Sequence, residues 1–288
     1  MEPRERAMQR GDLRLQCLEW GDTTAPPVVL LHGLAGHART WDHVAEAMAA
    51  RFRILALDQR GHGESGWAPD GDYRASTMAA DLAAVVEALA LPRFSLVGQS
   101  MGARVAIVFA AAHPGRVERL VLVDMGPEIA PEGLRRIRTT VSQAPEELDS
   151  EEEAYRLLRA AAPRYREPLL RHRVRHSLAP LPNGKLTWKH DKVLRDRARE
   201  GNRDIPSLWP ELARITCPTL IVRGGESDVL SPQIAARMLD VLPEGRLVEI
   251  PGAGHTVPGD QPEAFIQAVL AFLSPPPPES SKPETRGP

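Results

Sequence analysis

The chain has 288 residues, of which 42% are apolar and 26% are charged, an ordinary composition for a globular protein. Its 36 basic and 38 acidic side chains leave a formal net charge of −2, so charge favours neither nucleic acid nor an anionic membrane as a partner. No apolar run approaches the ~18 residues of a membrane span, and the N-terminal segment lacks the apolar stretch of a signal peptide. These observations predict a soluble, cytoplasmic protein. The two cysteines, Cys17 and Cys217, are expected to be buried free thiols.

Seven short segments are predicted to be strands. The first, 13–21, alternates apolar and polar residues, as a strand with one wetter face would. The others are almost wholly apolar, as is typical of strands buried on both faces of a parallel sheet: 28–33, 53–58, 94–98, 119–124, 219–224 and 246–252. Helical patterns lie between them, at 39–50, 75–91, 101–113, 231–242 and 261–273. This alternation predicts an α/β fold with a mostly parallel central sheet flanked by helices.

The alternation stops between Asp124 and Thr219, where the segment is polar, charged and helical in pattern. We therefore predict a helical insertion over one end of the sheet at 128–210. The core domain would then consist of 1–127 and 211–273. The remaining segment, 274–288, is rich in proline and is expected to be a disordered tail.

A serine between two glycines follows the strand pattern 94–98. The stretch "SLVGQSMGARVAIVFAAA" combines a strand, a Gly-x-Ser-x-Gly turn and a helix, the context that gives this motif its meaning. Ser100 at the apex is expected to have a strained backbone, at a cost of about 1–3 kcal/mol. Gly98 and Gly102 lack the Cβ atoms that would clash where strand and helix cross. The motif therefore predicts Ser100 as a nucleophile exposed beside the N-terminus of a helix.

A serine nucleophile needs a base, and the base needs an acid to orient it. Among nine histidines, His255 is favoured because its loop follows the last strand and so faces the same crevice as Ser100. Asp228 follows the preceding strand and is the preferred acid. Glu226 is a near competitor and Asp124 a more distant one.

Two backbone N–H groups are expected to bind the oxyanion that forms during attack. One is that of Met101, directly after the nucleophile. For the other we choose Leu34, in the glycine-rich loop "HGLAG" after the strand 28–33. His32 is expected to brace this loop, and Asp58 to hold local backbone in a turn.

In this order, the motifs resemble those of α/β-hydrolase fold enzymes of the compact esterase and lactonase kind: "LLHGLAG", "LDQRGHGESG", "VGQSMGARVA", "LVDMGP", "RGGESDVLSP" and "PGAGHTVPGDQPEAF". The resemblance covers about 10–273. It implies that the insertion is a cap between the sixth and seventh strands, with the substrate pocket beneath it. A serine at the nucleophile position argues against epoxide hydrolases and haloalkane dehalogenases, which would need an aspartate there. Ala103 is a mild departure, where many relatives have glycine.

These features predict a serine hydrolase that cleaves a small or medium carboxylic ester, lactone or thioester, with no cofactor and no metal. A carbon–carbon bond hydrolase, a perhydrolase or a lyase with the same triad is the alternative. A ligand-binding protein on the same fold is a distant third, since no triad member is missing. In the cap, Trp188 could form a pocket wall or belong to a core. The basic run 164–175 could bind a substrate carboxylate or pair with the acidic run before it.

Overall fold

An eight-stranded sheet forms the centre of the computed structural model, which describes residues 2–199 and 205–274. Its strands are β1 (Arg4–Arg10), β2 (Leu13–Trp20), β3 (Pro27–Leu31), β4 (Arg53–Asp58), β5 (Phe94–Gln99), β6 (Val117–Val123), β10 (Thr219–Gly224) and β11 (Gly245–Ile250). Their order in space is β1-β2-β4-β3-β5-β6-β10-β11. The pairs β1–β2 and β2–β4 are antiparallel, and all other pairs of this sheet are parallel. The predicted, mostly parallel sheet is confirmed.

Helices cover both faces of this sheet. They are α1 (Asp42–Met48), α2 (Ala75–Ala88), α3 (Met101–Ala112), α8 (Trp209–Leu212), α9 (Pro232–Val241), α10 (Val257–Asp260) and α11 (Pro262–Leu273), with a 3₁₀ turn at Ala38–Trp41. The five predicted helices are present with bounds within a few residues of those expected, whereas the short helices α8 and α10 were not predicted. Alternate residues of β3 enter two different apolar clusters: Val29 and Leu31 lie in one, Val28 and Leu30 in the other. Burial on both faces explains why the central strands are apolar throughout.

The insertion between β6 and β10 contains α4 (Pro131–Gln143), α5 (Glu151–Ala161), α6 (Glu167–Ser177) and α7 (Lys192–Arg199). It also contains a small antiparallel sheet that the sequence did not predict, made of β7 (Glu147–Leu148), β8 (Leu178–Pro180) and β9 (Leu186–Trp188). We refer to α4–α7 and β7–β9 as the cap. The domain boundaries predicted at 127/128 and 210/211 stay a prediction.

Some further expectations concern the ends and the surface of the chain. Strand β1 was not predicted, because its residues are mostly exposed and charged, as those of an edge strand are. Both cysteines are free, Cys17 buried and Cys217 only partly so. Within the described residues, none of the helices has both the length and the apolar character needed to cross a membrane. The predicted disordered tail lies, from residue 275 on, outside the described residues.

Candidate active site

The turn between β5 and α3 places Ser100 at its apex. The backbone of Ser100 has φ 53° and ψ −116°, a conformation that L-residues rarely adopt and that carries strain. A Cβ at Gly98 would lie 2.4 Å from the carbonyl oxygen of Gly102, and one at Gly102 would lie 2.4 Å from that of Leu31. Both glycines are therefore required by the close crossing of strand and helix, as the sequence predicts.

A continuous chain of hydrogen bonds runs from this serine through His255 to Asp124. The loop between β11 and α10 brings His255 Nε2 to 2.9 Å from Ser100 Oγ. On the other side of the ring, His255 Nδ1 lies 2.8 Å from Asp124 Oδ2. An ionised carboxylate can only accept, so Nδ1 carries the proton and Nε2 is left to accept one from the serine hydroxyl. The arrangement is thus poised to deprotonate Ser100.

Asp124 is held rigidly at the end of β6. Its side chain is completely buried, and its backbone has φ 49°, in the left-handed region. Besides His255, its carboxylate accepts hydrogen bonds from the amide of Gly224, at 2.9 Å, and from the hydroxyl of Ser227. These bonds satisfy a buried charge that would otherwise be costly and fix the carboxylate that faces the imidazole.

The expected contact between Asp228 and His255 is not formed, so that prediction is wrong. Asp228 instead makes a bidentate ion pair with Arg136 of α4, at 2.6 and 2.7 Å. Hydrogen bonding to Arg136 lowers the pKa of the Asp228 carboxyl. Glu226, the other competitor, is exposed and lies 3.9 Å from Arg164.

Helix α4 also docks closely on the backbone around Asp228. The Ala130 amide donates to the Val229 carbonyl at 3.0 Å. A Cβ at Gly133 would lie 2.5 Å from the Asp228 carbonyl oxygen. The loop that was expected to supply the acid is therefore a docking site for the cap.

The loop after β3 lies beside the nucleophile. A Cβ at Gly33 would approach the Ser100 Cβ to 3.2 Å. The Gly36 amide closes a turn on the Gly33 carbonyl at 3.0 Å, and Ala35 has φ 55°. In the described part of the chain the Leu34 amide donates to no backbone oxygen, and Leu34 lines the cavity next to Ser100. Its N–H group is thus available to a ligand.

His32 and Asp58 hold this loop and its neighbour in place, as expected. His32 Nδ1 donates to the Gly33 carbonyl at 2.8 Å, while Nε2 accepts from the Gln59 amide at 3.1 Å. Burial lowers the pKa of His32 well below its ordinary value, so this histidine is neutral. Asp58 accepts from the amides of Ala38 and Glu64, at 2.6 and 2.9 Å.

A cavity of about 150 Å³ opens between the cap and the sheet. Ser100, His255 and Leu34 line it from the core, and its cap-side walls come from α4, α5, α6 and the segment between α5 and α6: Arg136, Ile137, Thr140, Val141, Leu158, Ala161, Ala162, Tyr165 and Arg173. Trp188 is not among the lining residues, so of the two alternatives that the sequence left open, a pocket wall or a core residue, the structure shows the second. Its indole packs inside the cap against Leu148 and its neighbours and donates to the Pro145 carbonyl at 2.9 Å.

A second contact between a serine and a histidine lies in the interface of cap and core. His37 Nε2 is 3.1 Å from Ser177 Oγ. His37 Nδ1 is buried without a hydrogen-bond partner in the described residues, so no acid orients this ring. Neither residue lines the cavity. Residues 2–199 and 205–274 also hold no cluster of three His, Cys, Asp or Glu side chains suited to a metal ion; the absence of a cofactor stays a prediction.

Known proteins resemble this chain over nearly its whole length. A family model described as the alpha/beta hydrolase fold matches residues 26–262. An esterase of Mycobacterium tuberculosis, Rv0045c, is 33% identical over 267 residues, which cover 90% of this chain and 86% of the relative. A mouse sn-1-specific diacylglycerol lipase is 29% identical over 282 residues, covering 94% of this chain and 90% of the relative.

Solved structures of hydrolases also superpose on nearly the whole of this chain. That of E-2-(acetamidomethylene)succinate hydrolase superposes with a TM-score of 0.86 at 28% identity, and covers 94% of this chain and 99% of its own. That of an alpha/beta hydrolase from Novosphingobium aromaticivorans has a TM-score of 0.83 at 32% identity, with coverages of 94% and 98%.

Proposed function

The chain belongs to the α/β-hydrolase fold family, and from this premise we propose that it is a serine hydrolase of small carboxylic esters, lactones or thioesters. In this proposal Ser100 is the nucleophile, His255 the general base and acid, and Asp124 the residue that orients the imidazole. The observation that carries the proposal is the hydrogen-bonded chain of these three side chains, with steps of 2.9 and 2.8 Å, at the wall of a cavity.

The reaction begins with attack of Ser100 Oγ on the carbonyl carbon of the substrate. His255 Nε2 accepts the hydroxyl proton as the new C–O bond forms. The imidazolium that results is stabilised by the carboxylate of Asp124, which already accepts the Nδ1 proton. Gly224 and Ser227 donate to the same carboxylate and hold it facing the imidazole.

The oxyanion of the tetrahedral intermediate would be bound by two backbone N–H groups. Met101 is the first residue of α3, and the amides of a helix's first turn have no acceptor within the helix. Leu34 lines the same cavity from the loop after β3, and we assign the second donor to its amide. Each such donor supplies about 2.7–4 kcal/mol of transition-state stabilisation.

The intermediate then collapses and the alcohol leaves with the proton that His255 held. A water molecule, deprotonated by the same Nε2, attacks the acyl group on Ser100. When this second intermediate collapses, the acid is released and His255 returns the proton to Ser100 Oγ. The residues that we place in the mechanism complete both half-reactions without a cofactor.

Covalent labelling tests the nucleophile directly. We expect a fluorophosphonate probe to label the wild-type protein once, and Ser100→Ala to abolish labelling. Ser177→Ala is the matched control, because Ser177 also contacts a histidine but lies outside the cavity; it should label like the wild type. Labelling that survives in Ser100→Ala and is lost in Ser177→Ala would show that Ser177 is the nucleophile and would refute the proposal.

A substrate panel tests the bond that is cleaved. We expect 4-nitrophenyl esters with short acyl chains to be turned over faster than long ones, because the cavity is small. A lactone and a ring-fission dienone acid complete the panel. Turnover of the dienone acid alone would replace the ester proposal by carbon–carbon hydrolysis with the same triad.

A further inference from the structure

One arginine of the cap differs from its neighbours in the basic run 164–175. Arg164, Arg166 and Arg171 each form an ion pair with a glutamate. Arg175 is exposed to solvent. Arg173 alone of these five lines the cavity that contains Ser100, and no carboxylate of residues 2–199 and 205–274 lies within salt-bridge distance of it.

The guanidinium of Arg173 is poorly satisfied. Its Nε is buried and has no hydrogen-bond partner among the described residues. Its Nη2 makes one long bond, of 3.3 Å, to the Ala35 carbonyl. Arg136, the other arginine in the cavity wall, is already held by two bonds to Asp228. An anion in the cavity would therefore find a free guanidinium only at Arg173.

The surroundings of Arg173 add no compensating negative charge. Its guanidinium carbon lies 5.8 Å from the centre of the Tyr165 ring. Burial, and then the charge of Arg173, lower the pKa of His37 well below its ordinary value, so the nearby imidazole is neutral. A partly buried cation without a counter-ion is unfavourable, and an anionic ligand would remove that cost.

We propose that Arg173 binds a carboxylate of the substrate, so that the preferred substrates are short esters carrying a second, free carboxylate. This inference rests on the proposed function, since it places the ester carbonyl at Ser100. A guanidinium binds a carboxylate through paired, charge-assisted hydrogen bonds. A cavity of about 150 Å³ holds a molecule of roughly benzene size, which limits the group between the two carbonyl carbons to a few atoms.

Tyr165 belongs to the same wall of the cavity. The residue is only 6% exposed. The ring is seated on Gly259, where a Cβ would come within 2.1 Å of the ring carbons. Tyr165 thus forms a fixed surface beside the guanidinium of Arg173.

Paired substrates test the proposal. Ethyl hydrogen succinate and ethyl 4-methylpentanoate have nearly the same shape and differ in the terminal carboxylate. Carboxymethyl butyrate and 2-methylpropyl butyrate form the same comparison on the alcohol side. For at least one pair we expect the wild type to have a higher kcat/KM for the charged ester than for the neutral one. Arg173→Met should lower the ratio of these two kcat/KM values by about 10- to 100-fold, the range expected for the loss of hydrogen bonds to a charged group. Arg173→Lys, which keeps the positive charge but not the paired N–H donors of a guanidinium, should lower this ratio less.

The control is Arg175→Met, which removes an exposed charge from the same helix and should leave both ratios within threefold of wild type. The proposal is overturned if the wild type prefers both neutral esters, if Arg173→Met leaves both ratios unchanged, or if Arg175→Met lowers them equally.

A binding measurement separates this proposal from the catalytic one. Calorimetric titration of Ser100→Ala with succinate requires no turnover. We expect binding that weakens at least tenfold when Arg173→Met is added, and no comparable binding of succinamide. Equal affinity with and without Arg173 would refute the carboxylate site whatever the activity of Ser100, whereas turnover by Ser100→Ala would refute the nucleophile alone.

Discussion

Replacing Asp124 by asparagine should nearly abolish activity while keeping the shape of the side chain. The amide has one acceptor oxygen where the carboxylate had two. In the wild type, the Asp124 carboxylate accepts hydrogen bonds from His255 Nδ1, the Gly224 amide and the Ser227 hydroxyl. If the amide nitrogen of the asparagine faces His255, the ring must accept at Nδ1 and carry its proton on Nε2. The imidazole could then no longer take the proton of Ser100.

The size of the loss follows from this change of tautomer. In serine proteases the corresponding change lowers kcat by about 10⁴, which corresponds to about 5.4 kcal/mol of transition-state stabilisation. We expect a loss of the same order for Asp124→Asn. Asp228→Asn should lower kcat by less than about tenfold, because Asp228 contacts Arg136 and not His255. Its ion pair is about one-third exposed on both sides, so its loss should cost at most about 1 kcal/mol of stability.

The assay is steady-state hydrolysis of 4-nitrophenyl butyrate by the two variants and by Glu226→Gln, whose exposed side chain serves as the control. Thermal melting of each variant gives the folded fraction, which corrects kcat for any loss of the buried Asp124 contacts. A greater loss of kcat in Asp228→Asn than in folded Asp124→Asn would refute the assignment of Asp124 as the acid.

Three further outcomes are expected. Ser100→Ala should retain less than a hundredth of wild-type kcat with the melting temperature little changed, and activity above that level would argue for another nucleophile. Gly102→Ala should destabilise the protein by about 2 kcal/mol in urea titrations, because the new Cβ would lie 2.4 Å from the Leu31 carbonyl oxygen. Burial lowers the pKa of His62 from 6.5 to about 4, so between these values the unfolded chain binds a proton that the folded chain does not. The free energy of unfolding should therefore fall as the pH drops from 6.5 to 4, by up to about 3 kcal/mol from this residue. Urea titrations across this range should show a shallower fall for His62→Gln than for the wild type, and an equally steep fall would contradict this reasoning.

The sequence was most informative where one local pattern determines the structure. The turn at Ser100 needs a buried strand, two glycines and a helix in direct succession, and all of these are visible within twenty residues. His255 could be placed because a loop after a parallel strand has only one edge of the sheet to face. Both residues lie where the pattern puts them.

The acid could not be chosen in this way. Asp124 and Asp228 follow β6 and β10, which are neighbouring parallel strands, and both precede His255 in the chain. The difference lies in the positive φ that turns Asp124 toward the ring and in Arg136, which is 92 residues from Asp228 and engages it from the cap. A contact between residues so far apart in the chain produces no pattern in the sequence near Asp228.

Cap packing was hidden for a related reason. Trp188 belongs to a three-residue strand whose partners are two other very short strands, and such segments have too few residues to show an alternation of apolar and polar side chains. Only the assembled cap shows that the indole faces Leu148 and Val174 rather than the cavity.

The docking of α4 restricts how this protein can be re-engineered. Because Gly133 touches the Asp228 backbone and Arg136 holds its carboxylate, the cap and the loop after β10 form one joint, although about ninety residues of chain separate them. If the cap of a relative replaced the segment between β6 and β10, its first helix would have to pack on a loop after β10 that is not its own. Transplanting the loop 225–231 together with the cap would preserve the joint, and with it the distance between the cavity roof and Ser100.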